Sequence, residues 1–314
     1  MIDFSVIIPA KNEAANISAC LHSIARADYD HTKVEVLVID NGSSDSTCEI
    51  ARDFGAQVIV DPALNISGLR NLGAEHASGR LLAFIDADCT VAGSWFMAAS
   101  RYLDEEGIAI FGSAPDVPDN AGWVPKAWLA VRKKSHPLME VEWLESMNMF
   151  IPKEIFHKAG GFDQTLVTCE DYDICQRFRA YGRIVSDQRI IATHHGEAAN
   201  VAHFFRKERW RATSNYQGLT TRQVSSAEWP SILLPLAQLM CALIGVIFFF
   251  AGWIGFIGWS WFVGFVALWQ IPLAVLAVTK ASAEQGLFAI VQLYYLFNVY
   301  FFARGCAVFG VKQR

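Results

Sequence analysis

Apolar positions in the first hundred residues fall into short β-branched runs separated by segments of helical period. Phe4–Pro9 is such a run, ended by a proline, and reads as a buried strand. Residues 12–27 follow with Ile17, Cys20, Leu21 and Ile24 on one helical face, opened by Asn12 or Asn16 as cap. Val34–Asp40 is a second strand, the Asn-Gly-Ser-Ser-Asp segment after it a turn, and Ser46–Phe54 a second helix. A third strand at Ala56–Val60, a helix at Gly68–Ala77 and a fourth strand at Arg80–Asp86 continue the alternation. Strands and helices alternating at crossover spacing predict an open α/β sheet, parallel over this stretch. Polar residues gather at the carboxyl ends of its strands, where such sheets take ligands.

The regularity loosens after Ser113. Pro115–Pro125 reads as a loop, Lys126–Glu145 as a helix and Met147–Ile151 as a strand. A short helix over Lys153–Ala159 and a turn at Gly160-Gly161-Phe162 come next. An amphipathic helix over Glu170–Tyr181, stopped at Gly182, and a strand over Ile184–Ala192 complete this part. Three apolar stretches follow, Ser231–Trp253, Phe256–Thr279 and Gly286–Phe309. Each is long enough for a hydrocarbon core of about 30 Å, and Pro235 and Pro272 are tolerable inside such helices.

Composition sharpens this division. The 314 residues are 53% hydrophobic and 18% charged, too apolar for an ordinary soluble enzyme. Between Ser231 and Ala303 the only charges are Lys280 and Glu284, whereas residues 1–230 carry 22 basic and 30 acidic side chains. An acidic soluble domain is thus joined to a membrane tail, and the net charge of −5 gives no compositional case for nucleic acid. Seven cysteines, none in a C-x-x-C pair, suggest neither a zinc ribbon nor a disulfide framework. The first apolar run is too short for a signal peptide, so the soluble domain is expected in the cytoplasm. Arg206, Lys207, Arg209, Arg211 and Arg222 before the first stretch, and Lys280 after the second, fit both ends of that pair on the cytoplasmic side. A third full crossing would put Lys312 and Arg314 outside, against the same rule, and Arg304 lies within the third stretch. Two and three crossings both stay open.

Asp86-Ala87-Asp88 ends the fourth strand. Residues two apart along an extended chain point to one side, so both carboxylates are expected to face one cavity, and oxygen donors suit Mg²⁺ or Mn²⁺. The pair stands in a series: Ser5–Glu13, Val38–Asp45, Gly68–Ala74, the Asp86/Asp88 pair, and a Gly160-Gly161-Phe162-Asp163 turn followed by Glu170-Asp171. On these motifs and their order, residues 3 to about 215 resemble glycosyltransferase family 2, enzymes of the GT-A fold that transfer sugar from a nucleotide donor.

The resemblance implies an open, mostly parallel α/β sheet made of a Rossmann-like nucleotide-binding half (residues 1–112) and an acceptor half (113–200). An interfacial basic helix (201–225) would close a catalytic domain of residues 1–225, followed by a membrane domain of two to three helices over 231–309. By position, Pro9, Ala10, Asn12 and Glu13 would line the nucleotide pocket, and Asp40 would accept a hydrogen bond from the base. Arg70 and Asn71 would approach the diphosphate or base, Asp86 the ribose, and Asp88 a divalent cation, Mn²⁺ or Mg²⁺. His194 or His195 would complete the metal site or touch the diphosphate. Glu170 and Asp171 form the catalytic element, with Asp171 as general base; the helix dipole is expected to keep it ionised near neutral pH. Phe205–Trp210 is similar to the Q-x-x-R-W signature of processive synthases but has Arg206 where the glutamine would stand.

The expected activity is therefore inverting, metal-dependent transfer of one sugar from a nucleotide-sugar, UDP-linked ahead of GDP-linked. The acceptor would be lipid-linked or membrane-proximal, on the cytoplasmic face of the inner (plasma) membrane, as in cell-envelope polysaccharide or glycolipid synthesis. The alternatives are a processive polysaccharide synthase and a non-catalytic nucleotide-sugar-binding subunit of an envelope-assembly complex.

Overall fold

The computed structural model describes residues 1–133, 136–166, 168–213, 229–255, 258–281 and 286–310. The expected helix beyond residue 213, Arg222, Lys312 and Arg314 lie outside the described residues. The chain divides into two compact units, residues 1–119 with 133–197, and residues 120–132 with 198–314.

In the first unit the alternation of the sequence becomes β1 (Phe4–Ala10), α1 (Ile17–Ala25), β2 (Val34–Asp40), α2 (Thr47–Asp53), β3 (Gln57–Val60), α3 (Ile66–His76) and β4 (Leu81–Ile85). β1 is buried on both faces because its side chains alternate between two cores. Phe4, Val6 and Ile8 join α1 and the short helix α4 (Trp95–Ala99), whereas Ile7 joins Leu69 and Ala74 of α3. β5 (Cys89–Val91), β6 (Ile108–Gly112), β7 (Leu138–Glu140), β8 (Asn148–Pro152), β9 (Arg183–Asp187) and β10 (Ala192–His194) supply the rest, with α6 (Lys153–Ala159) and α7 (Glu170–Phe178) between them. The main sheet has the order β3-β2-β1-β4-β8-β6-β9-β7, mostly parallel, with β8 and β7 reversed. β5 and β10 form a separate antiparallel pair.

Three expectations need correction. The strand expected over Ile184–Ala192 is split between β9 and β10, which lie in different sheets. The first helix is Ile17–Ala25 with Asn16, the second of the two expected caps, before it, and not residues 12–27, because residues 11–14 are stitched to the turn after β2 and Asn12 takes a left-handed φ of 56°. The helix expected over 126–145 is α5 (Trp123–Arg132), and β7 follows it. Proline at 137 disfavours a continuing helix, and pairing of Leu138–Glu140 with β9 then wins those residues for the sheet.

The second unit contains α5, α8 (Val201–Arg211) and three helices long and apolar enough to cross a membrane, α9 (Trp229–Trp253), α10 (Trp259–Lys280) and α11 (Gly286–Cys306). α8 buries Phe204 and Glu208 and exposes Arg206, Arg209 and Trp210, the spacing of a helix with one wet face. Val124 and Ala127 of α5, Phe204 of α8 and Leu293, Leu296 and Phe297 of α11 share one apolar core.

Candidate active site

The carboxyl ends of β1, β2 and β4 bring the motif residues together. Pro9 and Ala10 end β1, alongside Ile39 and Asp40 of β2. The loop after β1 interlocks with the turn after β2: Asn12 N donates to Ser43 Oγ (2.8 Å), and Ser44 N donates to Asn12 Oδ1 (2.9 Å). Glu13 N donates to Thr47 Oγ1 (2.8 Å), and Ala14 N to Asp45 Oδ2 (3.1 Å). Asp40 is fully buried and takes Ser43 N and Oγ on its two oxygens, so in this structure it caps the turn that forms the loop's other wall. Burial raises the Glu13 pKa; the hydrogen bond from Asn16 lowers it, and the charges of Asp88, Asp86 and Asp45 raise it again.

Asp86 to Asp88 is not extended strand. β4 ends at Ile85, and Cys89 N donates to Asp86 O (3.0 Å), so a tight turn replaces the pleat expected there. The turn sends the two carboxylates to different partners. Arg70, 2% exposed on α3, donates from Nη2 to Asp86 Oδ1 and from Nη1 to Glu170 Oε1, both at 3.0 Å. A guanidinium withdrawn from water needs acceptors in its own plane. This one ties the end of β4 to the start of α7, and Glu170 stands 100 residues from Arg70 in sequence.

Asp88 Oδ2 lies 3.1 Å from His194 Nε2, and the other ring nitrogen of His194 is 3.0 Å from Glu197 Oε1. The register of β10 on β5 sets this, pairing His194 with Cys89. Successive strand side chains point to opposite faces. His195 accordingly turns away, with Nε2 2.9 Å from Thr90 Oγ1, while its backbone N donates to Asp88 O. Burial alone would lower the His194 pKa, but hydrogen bonding to Asp88 and Glu197 overrides it and raises the value to about 9. Gly196 is required by close approach, since a Cβ there would stand 1.9 Å from Asp88 Oδ2.

No group of three or more metal-ligating side chains occurs among the described residues. Cations of the Mg²⁺ and Mn²⁺ type usually take only one or two protein carboxylates and complete their shell with substrate phosphates and water. A carboxylate beside an imidazole whose far nitrogen is held by a second carboxylate suits such a shared cation.

Asp171 stands on the first turn of α7, one residue after Glu170. Its Oδ1 is buried with no hydrogen-bond partner. The expectation that the helix dipole keeps Asp171 ionised does not hold. Burial, then the charge of Glu170, raises its pKa to about 7, against the pull of Arg70 and a hydrogen bond from Ser146. Cys169, just before, takes a left-handed φ of 68°.

The Asn71 side chain, expected to approach the diphosphate or base, is engaged with the glycine turn in this structure. Its amide donates to Phe162 O (2.8 Å) and accepts from Phe162 N (2.9 Å), clasping the glycine turn. Gly161 has φ +66°, and a Cβ there would lie 2.7 Å from Asn71 Oδ1. Sequence reading missed Glu197, Ser146, Ser43 and Gly196. Glu197, three residues after His194, had a spacing signal, and Ser43 lay within the Val38–Asp45 motif; Ser146 and Gly196 had none.

A model of glycosyl transferase family 2 matches residues 5–164, about half the chain. Among curated proteins, glycosyltransferase AglE of Haloferax volcanii is 31% identical over 176 residues, 53% of this chain and 58% of AglE. Validoxylamine A glucosyltransferase of Streptomyces hygroscopicus subsp. jinggangensis is 25% identical over 220 residues, 57% of this chain and 51% of that protein. The chain thus spans little more than half the length of these curated relatives. Among solved structures, the mannosyltransferase PcManGT from Pyrobaculum calidifontis, in complex with GDP-Man and Mn²⁺, matches with a TM-score of 0.58 at 17% identity, covering 94% of this chain and 85% of that one. TarS of S. aureus matches at 0.52 and 20% identity, covering 76% of this chain and 43% of its own. These structural likenesses show the shared fold.

Proposed function

Because this chain belongs to glycosyltransferase family 2, we propose that it is an inverting, metal-dependent enzyme that moves one sugar from a nucleoside diphosphate sugar to a lipid-linked or membrane-proximal acceptor at the cytoplasmic face. The observation that carries this reading is Asp171, whose Oδ1 is buried without a hydrogen-bond partner and whose pKa is pushed up to about 7. An inverting displacement needs a base of that kind opposite the leaving group, within hydrogen-bond reach of the acceptor hydroxyl.

Asp171 takes the proton of that hydroxyl as it attacks the sugar carbon. Arg70 orients Glu170 and Asp86 at once, and Asp86 is left one oxygen for the ribose. The wall formed by Pro9, Ala10, Asn12, Glu13 and the Asp40 turn holds the nucleotide. Asp88 and His194 would hold the divalent cation, with Glu197 fixing the imidazole. When bound, that cation neutralises charge on the departing diphosphate. The complexes of PcManGT with GDP-Man and of TarS with UDP-GlcNAc support a nucleotide-sugar donor.

The test is a panel of UDP- and GDP-sugars with Mn²⁺, the purified chain and a polyprenyl phosphate or glycolipid acceptor, read by mass spectrometry. Addition of one sugar, lost in Asp171→Asn, is the expected result. A ladder of products would replace single transfer with a processive reaction. Donor binding without transfer to any acceptor would leave a binding subunit.

A further inference from the structure

All three apolar helices of the second unit are long enough to cross a bilayer, yet their packing brings both ends of α11 to one side. α9 and α10 form an antiparallel hairpin. The space over Gly252 is filled by Trp259, and that over Gly245 by Phe265 and Trp269. Trp269 Nε1 also donates to Gln238 Oε1 (2.7 Å). The start of α9 and the end of α10 therefore share one end of the hairpin, the near end, and Trp253 and Trp259 mark the far end.

The last turn of α11 belongs to the near end. Gly305 packs so closely on the start of α9 that a Cβ would stand 2.5 Å from Pro235 O, and Ala307 shares a buried cluster with Ile232. The first turn belongs there too. α10 stops at Lys280, and only residues 282–285 separate Ala281 from Gly286. Five chain steps reach at most about 18 Å. A 21-residue helix is about 31 Å long, so a spanning α11 would carry its ends to opposite faces. With both ends at the near side, α11 lies across the base of the hairpin. Midway, Gln238 Nε2 donates to Asn298 Oδ1 (3.1 Å), and Tyr294 OH donates to Gln270 Oε1 (2.8 Å).

What covers the rest of α11 agrees. Trp128 of α5 lies 5.7 Å from the Phe297 ring and 5.1 Å from that of Tyr300. Buried Arg304 pairs with Glu208 of α8 at 3.3 Å, and Arg211 holds the other oxygen of Glu208 at 2.6 Å. Two helices that carry Lys126, Arg132, Arg206, Lys207 and Arg209 cannot follow a helix through hydrocarbon. Mean hydropathy falls in the same sense, 2.5 for α9, 2.0 for α10 and 1.5 for α11. Exposed tryptophans mark two levels: Trp253, Trp259 and Trp261 at the far end, and Trp229 at the near end. From Trp229 to Trp253 the helix rises about 36 Å, the separation of two interfacial belts.

We infer that the chain crosses the membrane twice, through α9 and α10, and that α11 with α5 and α8 forms a platform seated in the lipid headgroup layer. The exposed stripe of Arg206, Arg209 and Trp210 on α8 is the surface that layer would meet. Lys312 and Arg314 then fall on the same side as the cations of α8, which removes the conflict with the positive-inside rule. The inference does not rest on the sugar-transfer reading.

Lys280 and Lys312 flank α11, so the unaltered chain tests it. In sealed membrane vesicles, a membrane-impermeant amine reagent followed by mass spectrometry should modify both lysines from one and the same face. A cysteine placed at Gly258 should react with an impermeant maleimide only from the other face. If Lys312 fails to react even after permeabilisation, Ser282→Cys and Gln313→Cys replace the lysine pair. Labelling of the two flanking positions from opposite faces would establish a third crossing and overturn the inference.

Discussion

Replacing Asp171 with asparagine should make the protein more stable at alkaline pH while removing its activity. The carboxyl is shifted from 3.8 to about 7, chiefly by burial and then by the charge of Glu170. Below about pH 4 the group is protonated in folded and unfolded chains alike and contributes no difference. Between about 4 and 7 the unfolded chain releases a proton that the folded chain keeps, so stability falls as pH rises through that window. Above 7 the penalty is complete. A shift of about three units corresponds to about 4 kcal/mol, a ceiling because Glu170 and Asp171 share their repulsion. Asparagine removes the charge but places an amide where Oδ1 has no partner, which costs about 1–3 kcal/mol if its N–H₂ stays unpaired.

The net expectation is a gain of about 1–3 kcal/mol at pH 8, or several degrees in Tm, shrinking to nothing or reversing at pH 4.5. Thermal unfolding of the full chain in detergent across that range measures it. Transfer by the same variant should drop by roughly 10²–10⁴-fold. In the unaltered enzyme the rate should fall on the acid side of about pH 7, and Glu170→Gln should move that limb to lower pH by removing the second cause of the shift. A Tm difference between Asp171→Asn and the unaltered chain that does not vary with pH would refute the reasoning. So would an acid limb that Glu170→Gln leaves in place.

Asp88→Asn should weaken donor binding by tenfold or more when Mn²⁺ is present and far less in its absence; calorimetry under both conditions separates the two, and equal losses would remove Asp88 from the cation site. Gly196→Ala should reproduce most of that defect in a folded protein, since its Cβ would meet Asp88 Oδ2 at 1.9 Å; unchanged binding would show that the approach is dispensable. Asn71→Ala unclasps Phe162 and leaves two backbone groups without their partner, so a loss of about 1–3 kcal/mol in stability is expected, with KM for the donor nearly unchanged. A selective rise in that KM would instead return Asn71 to the donor pocket.

The sheet was readable because local and global signals agree in it. β1, β2 and β3 follow one another in sequence and lie side by side, and β4 joins the free edge of β1 by one further crossover, so pattern and crossover rules reach the strand ends without tertiary knowledge. The site became readable only as far as its motifs sit on those ends. Which histidine meets Asp88 depends on strand parity, fixed by pairing between segments about a hundred residues apart, and two adjacent histidines look alike until that register is known. Arg70 was expected near the diphosphate or base; its burial comes from Asp86 and Glu170 arriving from two other elements, which its own helix does not announce. For Asp171 the dipole of its helix was visible in the sequence, but the desolvation that outweighs it was not. α11 is the sharpest case. Its length and apolarity permit a crossing, and nothing local to it forbids one. What decides is the reach of the five steps from Ala281 to Gly286, set against a contact between Gly305 and Pro235 made seventy residues away in sequence. Periodicity states what a segment is able to do, and the ends of its neighbours decide which of those options it takes.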